Sequence, residues 1–263
     1  MKFHSKILFT LLFICILFAN IYYEIFEPFE EDEHYTLKKV SYLLNGSRIY
    51  GYLLIPKENK PMYPAVVITH GFMARKEYLT FLAEQLAKDG YIVFAYDTRG
   101  FGESEGKKAV LWHGEEDVER AFNYVYTLPN VDRANIAVLG HSMGASNSLL
   151  FGAKDGRVKT VIAIAPYANI SEIVLFPPSK DVEIKSAPIY YVSNFSAKSV
   201  LYVVGERDRI CPKEQSEKLF NKTNVKKRIV IIKGGGHLLI GKRDEFVRVV
   251  EDWLDEEMAL YGG

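Results

Sequence analysis

The segment from residue 135 to residue 153 constrains the fold of this chain more than any other. Four consecutive apolar residues, Ile136 to Leu139, are long enough for a buried strand, and the small residues from Ala145 to Phe151 favour a helix. Gly140-His-Ser-Met-Gly144 joins the two without a linker. We therefore expect a strand, a sharp turn and a helix, with Ser142 at the bend and its hydroxyl clear of the sheet.

Apolar runs alternate with amphipathic stretches through the rest of the chain. Two β-rich runs, residues 35–44 and 48–55, flank Asn45-Gly46, which is a strong hairpin signal. Six apolar runs follow, at 65–69, 91–96, 136–139, 158–165, 199–204 and 228–232, with amphipathic stretches at 76–88, 115–127, 143–153, 212–221 and 244–258. This order predicts an α/β fold with a doubly wound, mostly parallel sheet of eight strands, helices on both faces, and an antiparallel N-terminal hairpin at one edge.

The first 26 residues differ in character from the rest. Residues 7–23 form a nearly unbroken apolar run behind Lys2 and Lys6, and as a helix at about 1.5 Å per residue this run could span a bilayer. We therefore predict a transmembrane helix within residues 1–26. A cleaved signal peptide is the alternative, although Leu17 stands where the cleavage site needs a small residue. The two lysines favour a cytoplasmic N-terminus and thus an extracytoplasmic domain.

The remaining chain is predicted to form a short acidic connector, residues 27–34, and a single domain, residues 35–263. Basic and acidic residues each number 33, so the net charge gives no reason to expect a nucleic-acid partner. The two cysteines and six histidines lack the spacing of a zinc site, and neither a metal nor a cofactor is expected. Cys211 has no partner cysteine outside the apolar run, so no internal disulfide is expected.

Residues that directly follow the apolar runs are the candidates for chemistry, because the carboxyl ends of parallel strands meet at one edge of a sheet. Ser142, Asp208 and His237 all stand at such positions. A serine hydroxyl becomes a nucleophile when a histidine takes its proton and a carboxylate orients that histidine. The alternatives are that Ser142 only caps the following helix, or that Glu206 or Asp181 supplies the carboxylate.

Five motifs resemble those of the α/β-hydrolase family in the same order, most closely its serine esterases, monoacylglycerol lipases and small aminopeptidases. They are THGF at 69–72, DTRGFGES at 97–104, GHSMG at 140–144, GERD at 205–208 and GGGH at 234–237. The resemblance covers roughly residues 36–258. It implies a Ser142, His237 and Asp208 triad, and a small lid formed by the irregular residues 167–198.

The resemblance also implies how the site is completed. The backbone N–H of Met143, which follows the nucleophile, and that of Phe72 would form the oxyanion hole. The supporting residues would be His70, Gly71, Asp97, Arg99, Gly140 and Gly144. Gly100-Phe-Gly102 could also suggest a dinucleotide-binding motif, but the third glycine of that motif is misplaced, so a structural role is favoured.

The sequence therefore predicts a membrane-anchored serine hydrolase that cleaves a lipid or short acyl ester through an acyl-enzyme. The anchor and the apolar residues 173–176 favour a lipid ester. A serine aminopeptidase or a thioesterase could use the same triad, and Glu172, Asp181 and Glu183 are the acidic residues near the lid that could hold a free amino terminus. A non-catalytic, membrane-tethered binding module is the alternative of a different class.

Overall fold

A computed structural model describes residues 27–108, 114–173 and 178–258. Its strands are β1 Tyr35–Leu44, β2 Ser47–Pro56, β3 Tyr63–Thr69, β4 Ile92–Tyr96, β5 Val131–His141, β6 Thr160–Ile164, β7 Ser199–Gly205 and β8 Lys226–Ile232. Its helices are α1 Thr80–Lys88, α2 Gly114–Tyr126, α3 Met143–Lys154, α4 Lys180–Ser186, α5 Lys213–Lys222 and α6 Arg243–Met258. Short 3-10 turns lie at Lys76–Leu79, Ile170–Glu172, Pro188–Tyr190 and Val192–Asn194.

The strands of the described residues form one eight-stranded sheet in the order β1-β2-β4-β3-β5-β6-β7-β8. β1 and β2 make an antiparallel hairpin and β2 pairs antiparallel with β4, whereas every other neighbouring pair is parallel. Asn45 and Gly46 both have positive φ, 49° and 82°, as a two-residue hairpin turn requires. The predicted mostly parallel sheet with an N-terminal antiparallel hairpin is confirmed.

Helices cover both faces of this sheet, which explains why its central strands are apolar along their whole length. Side chains of successive strand residues point to opposite faces, so Val66 and Val67 belong to separate cores. Val66 packs in a core with residues of α1 and α6, including Trp253. Val67 packs in a second core with residues of α2 and α3, including Phe122. The parallel strands therefore all deliver their carboxyl ends to one edge, where loops carry the candidate residues.

Several boundaries differ from the sequence expectation, among them the starts of β5 and β6. β5 begins at Val131, five residues before the apolar run at Ile136, because Val131 pairs with Tyr63 across an irregular register in the neighbouring strand. β6 begins at Thr160, two residues later than the run that starts at Val158. The predicted lid segment contains α4 and three of the 3-10 turns, and its residues 174–177 lie outside the described residues. Its function as a lid stays a prediction.

The predicted transmembrane segment, residues 1–26, also lies outside the described residues. Across the ranges that the structure describes, no helix combines the length and the apolarity needed to cross a bilayer. The anchor and the division into anchor, connector and domain therefore stay predictions from the sequence.

Candidate active site

Ser142 lies at the turn between β5 and α3 with φ 54° and ψ −117°, a backbone conformation that a residue other than glycine adopts only under strain. Its N–H donates to the carbonyl of Ile164 on β6 at 2.8 Å, which holds the turn against the sheet. Its side chain makes no capping hydrogen bond to α3. The sharp turn at Ser142 is strained, and the capping alternative for Ser142 has no support in the described geometry.

Gly140 and Gly144 make this turn possible by close backbone contact. A side chain on Gly140 would collide with the backbone of Gly144, and one on Gly144 would collide with the carbonyl groups of Thr69 and His70. Both glycines are needed because α3 starts directly against the ends of β3 and β5. Met143 is the first residue of α3, so its N–H is one of the unpaired donors at a helix N-terminus.

His237 and Asp208 form a largely buried pair at the same edge of the sheet. Nδ1 of His237 lies 2.8 Å from Oδ2 of Asp208. Oδ1 of Asp208 accepts hydrogen bonds from the backbone N–H groups of Ile210 and Cys211, at 2.9 and 2.8 Å. The Asp208 side chain is fully buried and that of His237 is 10% exposed. This arrangement favours a proton on Nδ1 and leaves Nε2 for proton transfer.

The two rival carboxylates lie elsewhere. The exposed Glu206 accepts a hydrogen bond from the backbone N–H of Gly234 at 2.9 Å, on the loop that leads to His237. Asp181 is an exposed residue of α4. Among the described carboxylates that were candidates, Asp208 is the one in contact with His237.

Ser142 and His237 line the same cavity, which has a volume of about 180 Å³. The residues around it come from the loop after β3, the Ser142 turn and the loop after β8. They are Gly71, Phe72, Met73, Ala74, Tyr78, His141, Ser142, His237 and Leu238. The structure therefore brings together the predicted nucleophile, the predicted base and Phe72, one of the two expected oxyanion residues.

His70 and Gly71 shape the loop that carries Phe72. Nδ1 of His70 donates to the carbonyl of Gly71 at 2.7 Å, and its Nε2 accepts from the backbone N–H of Thr98 at 3.0 Å. Burial lowers the pKa of His70, so the imidazole is neutral. Each of its two ring nitrogens makes one of these hydrogen bonds. A side chain on Gly71 would lie 3.0 Å from Nδ1 of His141, so the loop packs directly on the Ser142 turn. His70 is thus a structural support of this wall.

Asp97 and Arg99 support the site from a distance. The Asp97 carboxylate accepts from the backbone N–H and from Nζ of Lys76, both at 2.8 Å, which ties the loop after β4 to the turn that carries Tyr78. Arg99 donates from Nε to Asp117 at 2.7 Å, at the start of α2. Neither of the two predicted supporting residues borders the cavity.

The charge on Lys76 is retained although the side chain is almost fully buried. Burial acts to lower the pKa of Lys76, but hydrogen bonds to the carboxylates of Asp97 and Glu103 outweigh burial and raise that pKa above its ordinary value. The ion pair between Lys76 and Asp97 therefore links the two loops.

Two aromatic residues of the site had no catalytic interpretation in the sequence. The His141 ring lies between the rings of Tyr78 and His237, with centroids 4.7 and 4.8 Å away. Its Nε2 donates to the carbonyl of His237 at 2.9 Å. Burial lowers the pKa of His141 to about 3, with the neighbouring His237 adding to this effect, so the ring is neutral. His141 is adjacent to Ser142 in the sequence, but nothing in the sequence singles out Tyr78.

Cys211 lies buried behind the candidate nucleophile and is a free thiol. Burial raises the pKa of this thiol to about 12; the Asp208 carboxylate adds to that increase, and a hydrogen bond with Ser142 acts against it. A protonated thiol is a poor nucleophile, so Cys211 does not compete with the serine. Its position three residues after Asp208 was the available sequence signal.

Comparison with known proteins agrees with this fold. The sequence model of the family described as serine aminopeptidase, S33, matches residues 60–194. The uncharacterised protein YfhR of Escherichia coli O157:H7 is 27% identical over 205 residues, covering 74% of this chain and 70% of YfhR. Thiohydrolase aneE of Aspergillus aculeatus is 31% identical over 142 residues, covering 52% of this chain and 44% of aneE.

Solved structures show the same architecture. Est1E from Butyrivibrio proteoclasticus, in a complex described as having ferulic acid bound, superposes with a TM-score of 0.75 at 22% identity, over 84% of this chain and 99% of that structure. At this identity the likeness shows the fold alone.

Proposed function

Because the chain belongs to the serine aminopeptidase S33 family of α/β hydrolases, and is a hydrolase of that class, we propose that it cleaves carboxylic esters through an acyl-enzyme on Ser142. The observation that carries the proposal is that the strained Ser142 lines one cavity with His237, whose Nδ1 lies 2.8 Å from the buried Asp208 carboxylate. These are the nucleophile, the base and the orienting group that acyl transfer requires.

In the proposed reaction, the hydroxyl oxygen of Ser142 attacks the ester carbonyl carbon while Nε2 of His237 takes the hydroxyl proton. The oxyanion that forms is stabilised by the backbone N–H groups of Met143 and Phe72. As the tetrahedral intermediate collapses, the protonated His237 gives its proton to the leaving alcohol. Water then attacks the acyl group by the same route and releases the acid. Asp208 stabilises the imidazolium in both halves of the reaction.

The acidic residues near the predicted lid argue against an aminopeptidase. Glu183 accepts hydrogen bonds from Asn169, Ser171, Lys180 and Tyr190, at 3.1, 2.9, 2.7 and 3.0 Å. The side chains of Gln215 and Lys218 contact Glu172 in a second cluster. Asp181 is exposed on α4. Two of the three candidate carboxylates are therefore already paired within the protein, which leaves little negative charge to hold the amino terminus of a peptide.

A thioesterase remains the second candidate, because the relative aneE is named a thiohydrolase and the same triad cleaves thioesters. Rates on matched acyl esters, acyl thioesters and aminoacyl amides separate the three activities. We expect the ester to be the preferred substrate and the aminoacyl amide to be the slowest. The opposite order would contradict the ester proposal.

We propose in addition that residues 1–26 anchor the protein in a membrane and leave the hydrolase domain outside the cytoplasm. The support is the apolar run at residues 7–23 behind Lys2 and Lys6.

The nucleophile is tested by labelling with a fluorophosphonate, which reacts with activated serines. We expect the wild-type chain to be labelled and Ser142→Ala to lose the label completely. Ser148→Ala is the matched control, because Ser148 is a buried serine of the same helix region and its hydroxyl has no hydrogen-bond partner among the described atoms. Full labelling of Ser142→Ala would identify another nucleophile and refute the proposed mechanism.

A further inference from the structure

Exposed apolar side chains border the active-site cavity and continue onto the neighbouring loops. We call this surface the apolar rim and define it as Phe72, Met73, Ile210, Leu238 and Ile240. These residues lie on the loops that follow β3, β7 and β8, at the same edge of the sheet as Ser142. Met73 is 77% exposed and Ile210 is 58% exposed. Large apolar side chains that cluster in this way mark a binding surface more often than scattered ones do.

The backbone holds part of this rim outward under strain. Met73 has φ 59° in a tight turn that is closed by a hydrogen bond from the N–H of Ala74 to the carbonyl of Gly71. A positive φ favours glycine, and strain at a residue of another type is typical of functional positions. Leu239 has φ 53° in the turn between Leu238 and Ile240. Both turns present apolar side chains to solvent beside the cavity.

The cavity is too small to enclose a long substrate. Its volume of about 180 Å³ is below the range of roughly 300–1,000 Å³ that is usual for sites enclosing a drug-sized ligand. It can therefore hold the reacting ester group and its immediate neighbours, and the remainder of a longer molecule must extend outward. The surface that it meets at the mouth is the apolar rim, which suits a hydrocarbon chain.

The N-terminal end of the described chain reaches the domain beside this rim. The carbonyl of Glu27 accepts a hydrogen bond from the hydroxyl of Thr80 at 2.7 Å, and its carboxylate contacts Arg243 at 2.5 Å. Thr80 follows the cavity residue Tyr78 by two positions, and Arg243 follows the rim residue Ile240 by three. Glu27 lies four positions after Tyr23, the end of the apolar run, and an extended chain covers at most about 14 Å over that distance.

We infer that the apolar rim docks on the lipid bilayer that holds the N-terminal segment, so that Ser142 acts on long-chain acyl esters entering the cavity from that bilayer. This inference rests on the proposed function and specifies its substrate class. The short connection between Glu27 and the apolar run places the rim close to the membrane surface. The exposed apolar side chains of the rim then bury their surface in the bilayer interface, which is favourable.

The test uses the full-length chain reconstituted in phosphatidylcholine vesicles. Two substrates are compared: 1-oleoylglycerol dissolved in the vesicle bilayer, and p-nitrophenyl acetate in water. The variant Ile240→Ser changes a rim residue that does not border the cavity. We expect it to lower the rate on 1-oleoylglycerol at least tenfold, while the rate on p-nitrophenyl acetate stays within about twofold of wild type.

Met62→Ser is the matched control, because Met62 is 47% exposed, close to the 46% of Ile240, but precedes β3 at the opposite edge of the sheet. It should change neither rate. An unchanged ratio of the two rates in the rim variant overturns the docking inference. Fluorophosphonate labelling verifies that each variant is folded, and Ile240→Ala replaces Ile240→Ser if the latter is not labelled. A wild-type protein that is neither labelled nor active on p-nitrophenyl acetate would instead refute the proposed function.

Discussion

Asp208 is the residue whose chemistry is most sharply defined by its contacts. One carboxylate oxygen contacts Nδ1 of His237, and the other accepts the two N–H groups of Ile210 and Cys211. An amide at this position would keep the shape but could present an NH2 group to Nδ1 and so favour the wrong imidazole tautomer. In the proposed mechanism, the carboxylate therefore determines which nitrogen of His237 acts as the base.

We predict that Asp208→Asn lowers kcat for ester hydrolysis by about 10³ to 10⁴, with a much smaller change in KM, because the base would be protonated at the wrong nitrogen. Steady-state kinetics on p-nitrophenyl acetate measure both constants. Glu206→Gln is the matched control, since Glu206 lies on the same loop but contacts the backbone of Gly234. If Glu206→Gln showed the large loss and Asp208→Asn did not, the assignment of the orienting carboxylate would be wrong.

The connection between β5 and α3 depends on close packing of three backbone segments. Gly144 faces the carbonyl groups of Thr69 and His70, so α3 can begin only where no side chain intervenes. This contact places the N-terminus of α3 against the loop that carries Phe72. The glycine therefore supports both the stability of the layer and the geometry of the proposed oxyanion hole.

We predict that Gly144→Ala destabilises the protein by about 1–3 kcal/mol, because the added methyl group has only backbone atoms to displace. The same change should slow fluorophosphonate labelling by moving Met143 away from Phe72. Urea unfolding and labelling rates measure the two effects. Gly156→Ala is the control: Gly156 lies in a turn without a positive φ, and the nearest atom to an added methyl group is 3.7 Å away. Equal stability losses in the two variants would show that the packing argument is wrong.

Elements with a strong apolar period could be predicted from the sequence, and those that depend on long-range pairing could not. The runs at 65–69 and 199–204 are fully buried strands because helices cover both of their faces. The first residues of β5 contain no apolar run, so the sequence does not predict them as a strand. Val131 joins the sheet through its pairing with Tyr63. The helix and the turns within residues 167–198 are short, and propensity alone rarely determines such elements.

The same distinction applies to the site. Ser142, Asp208 and His237 each follow an apolar run, so the rule that parallel strands end at one edge predicts their approach. Tyr78 comes instead from the 3-10 turn at Lys76–Leu79, which Asp97 holds in place through Lys76. That link joins residues 21 positions apart and is visible only in three dimensions. The sequence therefore indicated the proposed reacting groups better than the residues that position them.

The molecule as a whole concentrates its neutral buried imidazoles at one place. His70 and His141 both lie at the carboxyl edge of the sheet, and burial lowers the pKa of each. A histidine that is neutral in the folded state and charged in the unfolded state makes the free energy of unfolding depend on pH. His141 has an ordinary pKa of 6.5 and a pKa of about 3 in the folded protein. Its contribution to stability is fully present above pH 6.5 and is lost as pH falls from there toward 3.

We therefore predict that His141→Phe reduces the sensitivity of the protein to acid. Phenylalanine keeps an aromatic ring between Tyr78 and His237 but cannot be protonated. Below the ordinary pKa of histidine, the free energy of unfolding of the wild type should fall relative to that of the variant by about 1.4 kcal/mol per pH unit. Urea unfolding of both proteins at pH 7.5, and then at steps of one unit down to the most acidic condition in which they stay soluble, measures this difference.

The comparison depends on the slope with pH, because replacing His141 also removes its hydrogen bond to the carbonyl of His237 and so costs stability at every pH. Tyr78→Phe is the matched control: it removes a hydroxyl 3.3 Å from Nε2 of His141 but keeps the buried imidazole, so its slope should follow that of the wild type. A constant difference between wild type and His141→Phe across the acidic range would mean that the folded and unfolded states protonate this imidazole alike. The neutral His141 imidazole would then not be the group that makes the free energy of unfolding sensitive to acid.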